Sequence, residues 1–191
     1  MDARIVRTRA ALLEASVTLV DERNPDEISM ADIAARAGVS RQAIYDHFSD
    51  RDHVLAEAAI NRLRQVISEA EDGPTQLPAD GSPPATLTAL MIHLTANRAF
   101  YQRLLSGRTG TVVRTELNSH NRFHFERMMD LPGPTRRISA QERAELVVFL
   151  AGGSTDLIIS WLTQHIEVST PEAMAIRLWR LWTSLRPVAG T

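Results

Sequence analysis

The chain has 191 residues, 44% of them hydrophobic, which is enough for one or two domains with a packed core. Its formal charge of −2 excludes a globally basic surface, so any footprint for a polyanion has to be local. Cysteine is absent, which excludes a disulfide framework and thiolate metal sites. The start, "MDARIVRTRA", has no apolar signal region, and no uninterrupted apolar run approaches the ~18 residues of a membrane span. A cytoplasmic protein with no membrane partner is therefore expected.

Strand patterns are lacking and helical periodicity recurs, so the predicted class is all-α with about nine helices. In "TRAALLEASVTLVDERN", Leu12, Leu13, Ser16, Leu19 and Val20 share one face, and Asn24-Pro25 ends the helix. Ser29 is placed as an N-cap with Asp32 in reciprocal position, opening a short helix that stops at Gly38. Ser40 caps the next, with Ile44 and Phe48 pointing inward. Asp50 caps a long helix running to about Glu71, striped by Val54, Leu55, Ala58, Leu63, Val66 and Ile67. "DGPTQLPADGSPP", Asp72 to Pro84, holds four of nine prolines and reads as a loop, and "LPGP", Leu131 to Pro134, is a second break. Further helices are predicted over about 85–106, 109–130, 138–166 and 170–186, the last opened by Pro171 after Ser169-Thr170. No proline falls inside a predicted helix.

Two short helices joined by a glycine-containing turn have helix-turn-helix geometry. Ile33, Ala34, Val39, Ile44 and Phe48 lock the pair, which leaves Arg41, Gln42, Ala43, Tyr45 and His47 on the outer face. Arginine can bridge guanine O6 and N7, glutamine can pair with adenine N6 and N7, and a small alanine admits a thymine methyl. Tyr45, His47 and Arg51 are donors suited to phosphates, which set register rather than sequence. Asp46 on the same helix would repel phosphate; accepting from cytosine N4 or holding nearby polar groups are its two alternatives. Residues 1–51 carry seven arginines against nine acidic residues. Arg4, Arg7 and Arg9 could offset that acidity at the backbone or minor groove, or simply be a solvated helix start. His47 and His53 lie six apart, a spacing that does not bring them onto one helical face, so no metal site is expected.

The run Ala34, Ala37-Gly38-Val39-Ser40, Ile44-Tyr45, His47-Phe48, Arg51 and Val54-Leu55 resembles the DNA-binding domain of the tetracycline-repressor (TetR) family of transcriptional regulators. That resemblance implies an N-terminal three-helix domain, about residues 1–50. A helical effector-binding and dimerisation domain, about 51–191, would follow, linked by the helix at about 50–71. It maps Arg41, Gln42 and Ala43 to base reading and Ser29, Ser40, Tyr45, His47 and Arg51 to the DNA backbone. The implied partners are a double-stranded DNA operator, a second copy of the chain as homodimer, and a small-molecule effector. No cofactor is expected.

Beyond the motif the similarity is one of layout. The family architecture implies an effector pocket among the middle helices, for which Leu63, Ile67, Met91, His93, Asn97, Phe100, Tyr101, Phe123, Phe149 and Trp161 are the candidates. Ordinary core is the competing role of each apolar member. The last two helices are apolar nearly all round, so each needs a second partner. Leu157, Met174, Leu178 and Trp182 are therefore expected at a dimer interface. Lacking HExxH, a Gly-rich phosphate loop or a serine elbow, the chain is not expected to be an enzyme. An enzyme or carrier with a vestigial helix-turn-helix, and an adaptor that no longer binds DNA, are the alternatives. The leading expectation is a ligand-released repressor whose long fourth helix links pocket to DNA.

Overall fold

Caps and prolines mark most helix boundaries in the computed structural model, which describes residues 3–70, 81–130, 138–168 and 170–184. Every α or 3-10 element among them is helical: α1 (Ala3–Glu22), a 3-10 turn (Pro25–Glu27), α2 (Met30–Arg36), α3 (Arg41–Tyr45), α4 (Arg51–Ala70), α5 (Ala85–Ala96), α6 (Arg98–Ser106), α7 (Thr109–Met129), α8 (Ala140–Leu162) and α9 (Pro171–Ser184). The helix expected over 85–106 is broken at Asn97, whose φ of −110° and ψ of 25° leave the helical region. Its side-chain Oδ1 instead accepts from Arg62 at 2.8 Å. Glu71, the loop expected over 72–80, the "LPGP" break, Ser169 and Leu185 lie outside the described residues.

The chain divides into two units, residues 1–64 with 97–116 and residues 65–96 with 117–191. The first is larger than the three-helix domain predicted for about 1–50, because α6 and the start of α7 fold with it. Arg103 on α6 donates to the carbonyls of Val20 and Asp21, each at 2.9 Å, and so closes the C-terminal end of α1. Thr109, the first residue of α7, donates to Asp52 Oδ1 at 2.6 Å. Gly110 has to be glycine there, since a Cβ would stand 2.4 Å from the Leu105 carbonyl oxygen. Leu12, Leu19, Ile33, Ile44, Leu55, Phe100, Tyr101 and Leu104 are buried side chains of this unit. Each large apolar one contributes roughly 1.5–3 kcal/mol by leaving water.

The second unit takes α5, α8, α9 and the C-terminal parts of α4 and α7. Phe125, Val147, Leu150 and Ala151 form a buried cluster, with Met128, Met129, Leu146 and Trp182 packed on it. Ser139 and Glu142 form a capping box that starts α8. By length and composition α8 is apolar enough to cross a membrane, contrary to the expectation that no apolar run approaches that length. Half of its apolar window is buried within the fold, as in the core helix of a globular protein.

Candidate functional site

The turn between α2 and α3 is built by local chemistry. Ser29 accepts from the Asp32 amide at 3.2 Å while the Asp32 carboxylate accepts from the Ser29 amide at 2.9 Å and its hydroxyl at 2.6 Å. Those bonds, led by the Ser29 hydroxyl, hold the Asp32 carboxyl below its usual range. Gly38 sits at φ +67°, the left-handed region that a Cβ disfavours, and Val39 N–H closes the turn on the Ala34 carbonyl at 3.0 Å. Ser40 then accepts from the Ala43 amide at 3.1 Å and starts α3. Ile44 and Phe48, 0% and 5% exposed, are the anchors.

That burial turns Arg41, Gln42 and Tyr45 outward, with Ala43 and His47 half-exposed beside them. Arg41 has no internal hydrogen bond among the described residues. Gln42 Nε2 donates to Asp46 Oδ1 at 3.0 Å, one turn on, so Asp46 orients the glutamine amide. This is the local role that was one of the two alternatives for Asp46.

Arg51, expected at the DNA backbone, and Arg9, for which DNA contact and a solvated helix start were both open, have partners inside the protein. Arg51 is only 14% exposed; it bonds Asp52 Oδ1 through Nε at 3.0 Å and Nη2 at 2.5 Å. Its Nη1 donates to the Pro25 and Asp26 carbonyls, each at 3.2 Å. Arg51 thus ties α4 to the 3-10 turn, a use that suits the planar guanidinium fork. Arg9 pairs with Glu57, donates to the His47 carbonyl at 3.2 Å and lies 4.5 Å over the Phe48 ring. It braces the end of α3 and is not a free minor-groove arm. The Ser29 and Ser40 hydroxyls, also expected at the DNA backbone, act as helix caps.

The second unit holds a cavity of about 420 Å³. Ile67, Leu87, Leu90, Phe125, Trp179 and Trp182 supply most of its apolar wall, while His120, Asn121, His124 and Arg127 from α7 border it. Ile67 is the one expected pocket residue on that wall. Leu63, Asn97, Phe100 and Tyr101 belong to the first unit, where Arg62 lies 4.7 Å over the Phe100 ring. Burial pushes the Tyr101 phenol upward, opposed in part by Arg62. Met91 and Trp161 are sealed in the second unit's core, half-buried His93 is off the cavity wall, and Phe123 and Phe149 are 55% and 65% exposed. The i, i+4 spacing of His120 and His124 on α7 is the signal in the sequence for this side of the wall.

Most of the residues expected at a dimer interface take part in packing within the protomer. Met174 and Leu178 are 1% and 0% exposed inside the protomer, and Trp182 faces the cavity with its indole N–H on Ser154 Oγ at 2.7 Å. Leu157 is half-buried. The apolar side chains of α8 and α9 left in solvent are Val148, Phe149, Ile176 and Leu181. Period alone could not separate the two stripes of helices that are apolar on both sides.

The geometry defines the class: an all-helical protein with a helix-turn-helix in one unit and a cavity in the other. Residues 12–58 match the bacterial regulatory proteins of the tetR family. An uncharacterized HTH-type transcriptional regulator of Mycobacterium bovis is 32% identical over 116 residues, 59% of this chain and 59% of its own length. The match thus spans less than two thirds of that relative. A TetR transcriptional regulator from Rhodococcus sp. RHA1 superposes with a TM-score of 0.62 at 17% identity, covering 92% of this chain and 95% of its own. The dihydroxyacetone kinase operon activator DhaS gives 0.61 at 16% identity, covering 93% and 94%. Residues 12–58 thus carry the helix-turn-helix signature of the tetR family of bacterial regulatory proteins, and the described residues share the fold of the solved TetR regulator.

Proposed function

We propose that this protein is a dimeric, ligand-responsive transcriptional repressor that binds an inverted-repeat operator and leaves it when a small, largely apolar effector enters the second unit. The observation that carries the reading is α3, a capped helix anchored by Ile44 and Phe48 that turns Arg41, Gln42 and Tyr45 outward. Buried anchors opposite exposed base-reading chemistry suit insertion into a major groove. Arg41 and Gln42 are the proposed base readers, with Ala43 against a thymine methyl. Tyr45 and His47 are the proposed phosphate contacts.

Homodimer formation is supported by the solvent-exposed Val148, Phe149, Ile176 and Leu181, which a second copy would cover. An effector role for the cavity is supported by its volume and aromatic wall. The proposed link is helical continuity. Helix α4 follows α3 after five residues and ends beside cavity-lining Ile67, and α7 runs unbroken from Thr109 to the cavity. An effector acts only through unequal affinity for two states, and a coupling of ~1–3 kcal/mol gives about 5–150-fold release.

Selecting DNA from a random pool with the full chain tests this reading. Recovery of an inverted repeat bound in a salt-dependent way is expected, with half-sites about 34–36 Å apart or a multiple of that turn. Recovery of no sequence would reject it in favour of an adaptor or carrier. A promoter reporter with and without the chain reads the sign, and lower expression in its presence is the expected result.

A further inference from the structure

The cavity wall carries a charge pattern that selects among effectors. Its two indole N–H groups are already bound: Trp179 donates to the Gly81 carbonyl at 2.9 Å and Trp182 to Ser154 Oγ at 2.7 Å. Both tryptophans therefore offer a ligand ring surface rather than hydrogen bonds. The polar side is α7, where His120, His124 and Arg127 follow at i, i+4 and i+7 on one face. His120 and His124 meet Nε2 to Nε2 at 3.1 Å. Asn121 gives one amide N–H to Thr155 Oγ1 at 2.9 Å and keeps the other.

Arg127 lies 5.7 Å over the Phe123 ring and has no carboxylate partner among the described residues. The one acid among the described wall residues, Asp130, is bound by Arg143 at 2.8 Å. That bond, its largest influence, holds the Asp130 carboxyl below its usual range, so the pair stays ionised and mutually neutralised. The described charges at this wall thus leave a guanidinium in excess, beside imidazole and amide donors and opposite aromatic surface.

The geometry points to an organic carboxylate with an apolar or aromatic body as the ligand of this cavity: the body against Trp179, Trp182 and Phe125, the anionic head on Arg127 with the His120–His124 pair. This assignment rests on the reading of the cavity as the effector site and narrows the largely apolar effector to an amphiphilic acid. An amine is disfavoured because Asp130, the only carboxylate among the described wall residues, is already paired. A neutral isostere leaves Arg127 without a counter-charge.

Three isosteric probes separate these cases in calorimetric titrations of the full chain near neutral pH: 4-phenylbutanoate, 4-phenylbutanamide and 4-phenylbutylamine. The carboxylate is expected to bind about tenfold or more tightly than the other two. Arg127→Gln should lower carboxylate affinity to the amide's level while leaving amide affinity and the melting temperature unchanged. A His120→Ala/His124→Ala variant that still melts cooperatively should lose part of the same preference. Equal binding of all three, tighter binding of the amine, a preference that survives Arg127→Gln, or no binding at all would overturn the assignment. Parallel operator-release measurements keep the two readings apart. A carboxylate that binds with the expected preference yet never releases DNA removes the effector role and leaves the charge assignment standing. Release by the neutral amide at equal concentration does the reverse.

Discussion

In the α2–α3 region the caps and the turn are made by neighbours within five positions. Ser29 meets Asp32, Ser40 meets Ala43, Gln42 meets Asp46, and Gly38 turns the chain by itself. In the second unit the roles are set across long separations: Trp182 reaches Ser154, Trp179 reaches Gly81 and Asn121 reaches Thr155. Apolar residues of α9 divide accordingly. Leu178 is fully buried in its own protomer, whereas Leu181, one turn on, is 41% exposed. A recognition motif built on local rules keeps its meaning wherever it occurs, while a helix shared between a core and an outer face has to be read residue by residue.

The sharpest way to break this contrast is to charge those two leucines. Leu178→Glu should unfold the second unit, since an unpaired carboxylate in a packed core costs several kcal/mol. Leu181→Glu, together with Phe149→Glu, should leave the helical circular dichroism intact and yield a monomer by sedimentation, with operator affinity lost. Unfolding by Leu181→Glu, or a folded monomer from Leu178→Glu, would reverse the assignment of the two stripes.

Phe48→Ala removes the anchor beneath Arg9 and is expected to cost about 3–5 kcal/mol in chemical denaturation. Arg41→Ala and Gln42→Ala should cost about 1–3 kcal/mol each in operator binding and relax specificity at defined positions, with thermal stability unchanged. Arg51→Ala should behave oppositely. It is expected to lose roughly 1.5–3 kcal/mol of stability with its charged hydrogen bonds, while the salt dependence of DNA binding stays unchanged. A drop of about one unit in that salt slope would restore Arg51 to the phosphate contacts.

Gly38→Ala should destabilise by roughly 1–2 kcal/mol, because a Cβ must adopt the left-handed conformation even though it meets open space. The smallest effect is the acid response. Arg36 hydrogen-bonds Glu22 and Arg143 hydrogen-bonds Asp130, and each holds its carboxyl below the usual range. Depressed folded-state values mean the contribution is complete above the usual carboxylate range and is lost as pH falls through the lowered values. Melting temperature should therefore decline below about pH 4. Arg36→Gln and Arg143→Gln should flatten that decline slightly, as befits exposed pairs.

What the sequence determined by itself is the all-α class, most helix boundaries and the helix-turn-helix with its outward Arg41, Gln42 and Tyr45. Those features follow from propensity, capping and period, which act within a few residues and are written in order along the chain. Asp46 holding Gln42 was open to the same reasoning, being an i, i+4 pair. Tertiary structure alone decided that α6 folds with the N-terminal unit, that Arg51 and Arg9 face inward, and that His120, His124 and Arg127 share a cavity wall with Trp179 and Trp182. An arginine on a helix can serve a phosphate, a carbonyl or an aromatic ring equally well. Which partner it takes depends on the carbonyl or carboxylate brought to it from dozens of positions away, as Pro25 is to Arg51 and Glu57 is to Arg9.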